Sequence, residues 1–370
     1  MIVGVRLSAS TMRISELEQS GIVQTQRLAE EAKWALIGYA AAKGSTPGSL
    51  PCPDPDGSGK SNALAGLCTN AALTTDRITG CLPWLTFGLD QHTDASGAPL
   101  LYALSTSWRS QVPTSSRTPA DESVGNSFRP INLGNSGSID LHSEHASPVT
   151  MVAAIITAGP ALPGQARDTV SLASLCAGNF AAYLENGADN SGLAITNSSS
   201  SGPLLVANSS DTFNDKILPI SREDVFRPLI APILRLFADD TGVGNHGLPY
   251  YFLHTTSSPS DLVKNVFPTP SSASQKSPSI MNRLANFSAF DSAVAPSHPT
   301  IASTSGIDQC PTDNANKPAD WLCFNNWYQY LAFNAVGVGY TLSLTLDKTK
   351  PSRTCSLAPP YTSGAFTCVN

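Results

Sequence analysis

From Arg13 to Lys43 the chain contains no proline, although 28 prolines are spread over its 370 residues. Within that stretch Leu28, Ala32, Ala35, Leu36 and Tyr39 recur at three- and four-residue steps, with Glu30, Glu31 and Lys33 between them. An apolar stripe of that period is one face of an α-helix, and Gly44 followed by Pro47 marks its end. The earlier half (Glu16, Glu18, Gln19, Gln24, Gln26) is mostly polar. The pattern predicts one long helix whose first half projects from a domain and whose second half packs on it.

Eight cysteines impose the next constraint: Cys52, Cys68, Cys81, Cys176, Cys310, Cys323, Cys355 and Cys368. Three sequential pairs, Cys68 and Cys81, Cys310 and Cys323, Cys355 and Cys368, share a spacing of 13 positions. A bridge over a loop of that size restrains the unfolded chain by roughly 3 kcal/mol in the entropy model. Cys52 and Cys176 would remain as a fourth, long-range pair, and other pairings stay open. No two cysteines lie two to four residues apart, so the spacing does not suit a zinc site. An even set of disulfide candidates implies an oxidising, extracytoplasmic compartment. Charged residues are only 14% of the chain and the net charge is −6, which offers no general attraction to nucleic acid.

Past Gly44, residues 45–150 alternate turn-forming residues with short apolar runs. Leu100–Leu104 and Val149–Ile156 read as strands. Residues 186–211, rich in Asn, Ser and Gly, read as a surface loop. Ser221 and Asp224 have the spacing of a capping box, opening a segment striped with Val225, Phe226, Leu229, Ile230, Ile233, Leu234 and Phe237. Pro228 suits its first turn and Pro232 would kink it. Residues 255–300 read as a long Ser/Pro-rich loop. The Leu36–Pro51 segment also aligns without gaps with Leu234–Pro249: in each an apolar helix ends at Gly and a short loop leads to Leu-Pro. Aromatic-bearing strand candidates follow near Tyr102 and at Trp327–Phe333, as expected of two copies of one helix-plus-sheet unit.

Several of these segments carry a resemblance. Ala32–Gly44 (AKWALIGYAAAKG) followed by Leu50–Pro53 (LPCP) resembles the passage from the long helix to the globular head of type IV pilins and type II secretion pseudopilins. Asp94–Tyr102 (DASGAPLLY) is similar to the Asp-x-Trp-Gly-x-Pro-x-x-Tyr turn of major pseudopilins, with Ser96 in place of Trp. Ala158–Arg167, Tyr183–Asn186 and Phe213–Asp224 resemble a wider group of prepilin-like proteins, and a terminal Cys355–Cys368 loop is similar to that of pilin heads. These patches cover about a third of the chain. The resemblance implies an α+β fold: a long N-terminal helix followed by an antiparallel-sheet pilin-like head, duplicated. Residues 1–45 would form the helical stem, 46–220 the first head and 221–370 the second helix-plus-sheet unit.

The family's prepilin cleavage site and apolar first helix half are missing, and Met1–Val5 would be the tail of that membrane segment. The expected reading is a chain shortened at its N-terminus. Partners implied are other pilin-like subunits, their assembly machinery, and the inner membrane through the missing segment. The size suits a minor, priming or tip subunit, extracytoplasmic on the inner membrane or in a surface filament, and not an enzyme. Two alternatives belong to other classes: a surface adhesin or ligand-binding module on the same scaffold, and a secreted hydrolase.

Residues that could carry chemistry are few. Asp54, Asp56 and Ser58 begin like a calcium loop, with oxygen ligands at alternate positions, yet Ala65 stands where the bidentate carboxylate belongs. The competing reading is an Asp/Gly/Pro turn, with no cofactor. Gly59, Lys60 and Ser61 lack the earlier glycine of a P-loop. His142 and His145 match no zinc-peptidase spacing, and the surrounding Gly, Ser and Pro predict a polar surface loop. No Gly-x-Ser-x-Gly elbow occurs and no catalytic triad is visible. Trp321, Phe324, Trp327, Tyr328, Tyr330 and Phe333 could face a ligand, though their alternation suits a half-buried strand equally well.

Overall fold

The computed structural model describes residues 3–43, 47–61, 76–108, 131–230, 232 and 325, and four C-terminal strands between 331 and 369; side chains are described from Ser20 onward, excluding those strands. The chain divides into two compact units. Met1–Ala40, Ser49–Ser110 and Ser136–Asp224 form the first, and Ala41–Gly48, Gln111–Asn135 and Val225–Asn370 the second. The architecture is mixed α+β, with an N-terminal helix and largely antiparallel sheets, as expected from the sequence.

Helix α1 runs from Val3 to Ala42, ten residues earlier than the proline-free stretch suggested. Its later half is the packed one. Ala29, Ala32, Leu36, Ile37 and Ala40 are buried, whereas Ile22 and Val23 are each 66% exposed. Lys33 reaches from this half to the carbonyl of Pro219 (3.0 Å) and to the Asp224 carboxylate (3.1 Å). Tyr39 meets Phe87 edge to face, with ring centroids 5.6 Å apart.

Among the described residues of the first unit the strands are β1 (Arg77–Cys81), β2 (Leu101–Ser105), β3 (Ile139–Ser143), β4 (Val149–Met151), β5 (Ala153–Thr157), β6 (Asn186–Ala188), β7 (Ala194–Thr196), β8 (Leu204–Val206) and β9 (Lys216–Ile220). The main sheet has the order β1-β2-β5-β9 and is antiparallel throughout. Its central strands β2 and β5 are buried at every position, which is why both are runs of apolar residues without a polar face. Leu101, Ala103, Ala154 and Ile156 point into a core with Ile139, Leu175 and Phe180. Tyr102 and its cross-strand partner Ile155 occupy the opposite face, the side of Tyr39 on α1.

Beside it lies a smaller sheet of order β4-β3-β8, in which β3 pairs antiparallel with β4 and parallel with β8. The apolar run Val149–Ile156 therefore corrects the one-strand reading. It is two strands in two sheets, separated only by Val152, whose N–H donates to Ile220 and whose carbonyl accepts from Ser105. The 186–211 stretch is a second correction. It contains β6, β7 and β8, with Ile195, Leu204 and Leu205 buried. This unit's sequence also holds four single-turn 3-10 helices and two short α-helices among the described residues: α2 (Leu172–Cys176), capped by Ser171, and the start of α3 (Arg222–Phe226).

The expected capping box is present. Ser221 N–H and Oγ–H both donate to Asp224 Oδ2, and Asp224 N–H donates back to Ser221 Oγ. Pro228, however, falls in a turn after a five-residue helix and not within its first turn. In the second unit Phe226, Ile131 and Leu229 approach Gly48. Asn325 holds the same region, accepting from Ile131 N–H (2.7 Å) and from Asn132 Nδ2 (2.8 Å). Four strands follow as an antiparallel meander: β10 (Leu331–Val336), β11 (Gly339–Leu344), β12 (Arg353–Leu357) and β13 (Phe366–Val369). Phe333 lies on β10, whereas Trp321, Phe324, Trp327, Tyr328 and Tyr330 fall outside the described residues.

Cys81 is bonded to Cys176, with Cα atoms 4.9 Å apart. This overturns the Cys68–Cys81 and Cys52–Cys176 pairs that spacing suggested, because β1 leaves Cys81 beside the end of α2. Cys52 is disulfide-bonded too, to a cysteine outside the described side chains. In the terminal sheet Cys355 and Cys368 stand directly opposite each other in register, as the expected pair requires. Cys68, Cys310 and Cys323 lie outside the described residues.

Candidate functional site

Four of the segments that carried the resemblance, Asp94–Tyr102, Ala158–Arg167, Tyr183–Asn186 and Phe213–Asp224, converge on one buried polar network in the first unit. Asp94 starts a turn closed by its own side chain: Oδ1 accepts from the N–H groups of Ser96 (2.9 Å) and Ala98 (3.0 Å), and Oδ2 accepts from Gly159 N–H (2.9 Å). Ser96, the residue that departs from the pseudopilin pattern, donates through Oγ to Asp94 and to the Gly159 carbonyl (2.8 Å). At Gly159 the backbone is left-handed (φ 64°), and a Cβ there would press on Asn214, so glycine is required.

Arg167 donates to the same Gly159 carbonyl, to Tyr183 O and to Gln165 Oε1, and its guanidinium lies 4.9 Å from the centre of the Tyr183 ring. Gln165 passes the network on by donating to Glu185 Oε1 (2.6 Å). Glu185 Oε2 accepts from the amides of Asn214 (2.9 Å) and Asp215 (3.1 Å), while Asp215 Oδ2 accepts from Glu185 N–H (3.0 Å). Asn197 closes the far end by donating to Asp215 Oδ2 and pairing with both backbone groups of Leu205. Burial and the nearby Glu185 charge push the Asp215 carboxyl up to about 8.

Chemically this network is a clasp. Glu185 Oε2 and Asp215 Oδ2 accept from backbone amides, Asp215 is fully buried and Glu185 nearly so, so this carboxyl pair is not open to a substrate. Beside it, Arg77 is 1% exposed and donates to three carbonyls, those of Pro203 (2.8 Å), Asn197 (3.3 Å) and Ser199 (2.6 Å). Burial lowers its guanidinium to about 10, leaving the cation in place at neutral pH. Neither Arg77 nor Asn197 drew notice in the sequence, where each sits among other polar residues and the two are joined to each other across 120 positions.

The Asp54 loop is also turned inward. Asp54 is fully buried; its Oδ1 accepts from the amides of Asp56 and Gly57 (both 3.0 Å), and its Oδ2 accepts from Gly59 N–H (2.6 Å). Asp56 Oδ1 takes Ser58 N–H (3.0 Å). Burial raises the Asp54 carboxyl against the pull of these amides, and hydrogen bonds from Ser58 lower Asp56. Gly59 (φ 77°) lies against the Trp84 ring, where a Cβ would overlap the indole at 2.4 Å. The residues Asp54, Asp56 and Ser58 thus form an Asx-type turn docked on β1 through paired Asp54–Cys81 backbone bonds. Calcium takes six to eight oxygens. Among the described residues no group of three or more His, Cys, Asp or Glu converges as a metal site.

His142 corrects the loop expectation. It lies on β3, largely buried, with Nδ1 2.7 Å from Asp189 Oδ2. Hydrogen bonds from Ser191 and then His142 hold the Asp189 carboxyl below the usual carboxylate range. His145 remains exposed beside Glu144 and Asn208. His92 Nε2 is buried without a hydrogen-bond partner among the described residues, 3.9 Å from Glu31 Oε1. It lines a cleft of about 10 Å³ with Asp54, Trp84 and Leu172, room for one water molecule.

No protein-family model, no curated protein and no solved structure matches the chain. Among the described residues, no helix is long and apolar enough to cross a membrane.

Proposed function

We propose that the chain is a structural subunit, minor, priming or tip, of a bacterial filament of the type IV pilus or type II secretion pseudopilus kind, and not an enzyme. The observation that carries this reading is the join between α1 and the first sheet. A 40-residue helix ending at Ala42 buries one face of its later half and exposes Ile22 and Val23, and Tyr102 donates to the carbonyl of Pro51, in the Leu50–Pro53 segment that follows the helix in sequence. Two separately resembling segments are thereby bonded to each other. The Asp94 turn, Gly159, Arg167, Glu185 and Asp215 add support, because three further resembling segments meet the Asp94 turn in a network that organises a head and offers no open reaction site. A duplicated, pilin-like head is supported by the presence of a four-stranded antiparallel sheet in each unit, although the first is threaded β1-β2-β5-β9 and the second is a plain meander. Disulfides at Cys81–Cys176 and at Cys52 favour an extracytoplasmic location.

The test is made in the bacterium that produces the chain. An antibody against it should detect it in sheared surface filaments or in the inner-membrane fraction, together with other pilin-like subunits. Deleting the gene should reduce filament number or secretion. A chain found free of both fractions, with filaments and secretion intact after deletion, would sink the proposal.

A further inference from the structure

Glu185 and Asp215 are supplied with hydrogen-bond donors unequally. Both Glu185 oxygens are served, Oε1 by Gln165 Nε2 and Oε2 by the amides of Asn214 and Asp215. Asp215 is served on one side only. Its Oδ2 takes Glu185 N–H and Asn197 Nδ2, while Oδ1 is buried with no hydrogen-bond partner among the described residues. A carboxylate with one oxygen left unserved is costly to bury, and Asp215 at 0% exposure is out of reach of bulk water.

Nor does a cation compensate among the described residues. Arg167 enters the network through Gln165, which stands between it and Glu185, and its other bonds go to backbone carbonyls. Arg77 touches only the carbonyl side of Asn197. Lys216, the next residue on β9, is exposed. Among the described residues, the charged group that faces Asp215 is the like charge of Glu185. A proton is the cheapest remedy for two carboxyl groups in such a site.

We infer that Asp215 is carried as the neutral acid in the folded protein, and that its ionisation is an alkali-sensitive release for the clasp joining residues 158–167, 183–188 and 213–216. The raised value of about 8 given above agrees with this geometry. Between an ordinary aspartate value and that point, the folded chain holds one proton that the unfolded chain has lost. Stability therefore falls as pH rises, and the unfolding constant grows by up to about tenfold per pH unit from this one group. The clasp is tightest in mild acid and slackens toward alkali.

The experiment compares the oxidised full chain with Asp215→Asn in urea unfolding from about pH 5 to pH 9. Asparagine mimics the neutral acid and cannot ionise. The variant should match the wild type near pH 5, lose about one proton's worth of pH dependence, and unfold less readily than the wild type near pH 9. An unchanged pH dependence in the variant would overturn the inference. Should Asp215→Asn fail to fold, the wild type labelled with ¹³C-aspartate decides. One side-chain carboxyl titrating above about pH 7 supports the inference, and every aspartate titrating below about pH 5 overturns it.

Discussion

Tyr102 donates its hydroxyl to the carbonyl of Pro51 at 3.2 Å, with the whole side chain buried between β2 and α1. One phenol thus ties the central strand of the first sheet to the segment that leaves the helix. Burial, and then the neighbouring Tyr39, raise this phenol well above its ordinary value. Tyr102→Phe leaves the Pro51 carbonyl without this donor and should cost about 1–2 kcal/mol in chemical denaturation. Because the folded chain holds the phenol proton more tightly, its contribution is fully present below about pH 10 and lost above it. In an ultraviolet titration the folded wild type should show one fewer ionising tyrosine than Tyr102→Phe plus one predicts, until the fold is lost.

Arg77 replaces what a β-ladder would supply, holding three carbonyls of the Asn197–Pro203 turn with one guanidinium. Arg77→Met should destabilise the first unit by about 2–4 kcal/mol, since buried carbonyls lose their donors. Limited proteolysis should then cut between residues 197 and 203. Arg77→Lys should recover only part of the loss, because an ammonium cannot reproduce the planar fork. Equal protection of this turn in wild type and Arg77→Met would contradict the role.

The Cys81–Cys176 bridge spans 95 positions. Replacing both cysteines by alanine should cost about 4 kcal/mol, chiefly by freeing the unfolded chain. Peptide mapping without reduction checks the connectivity directly. One fragment should join Cys81 to Cys176 and another should join Cys355 to Cys368, whose positions face each other in the terminal sheet. A Cys68–Cys81 peptide would contradict the structure.

Asp54→Ala removes the acceptor shared by three amides and should cost about 2 kcal/mol, with the Gly57–Gly59 backbone losing protection from hydrogen exchange. Asp54→Asn should fall between the two. The reading fails if Asp54→Ala leaves exchange in this loop unchanged.

Elements set by local spacing were legible in the sequence. The buried stripe of α1 follows from residues three and four apart, and the Ser221–Asp224 box closes as its spacing foretold. Leu100–Leu104 was legible as a strand because β2 is covered on both faces and can be apolar throughout. What escaped was set at long range. The Asn/Ser/Gly composition of 186–211 says loop, yet Arg77 and Asp215 reach in from elsewhere and hold it. The Asp94, Gly159, Arg167 and Glu185 segments were visible as patches of resemblance, but nothing in any one of them says that it bonds to the others. Nor does the run Val149–Ile156 announce that the chain changes sheets within it.

That change has a mechanical consequence. At Val152 a single peptide unit passes from β4 into β5, and its N–H and carbonyl are already engaged by Ile220 and Ser105. The two sheets share one continuous backbone with no slack between them, so a shear that shifts one must drag the other. A tensile load entering through α1 and Lys33 would meet both sheets in series at this seam, and the first unit should give way in one step, not by peeling strand after strand.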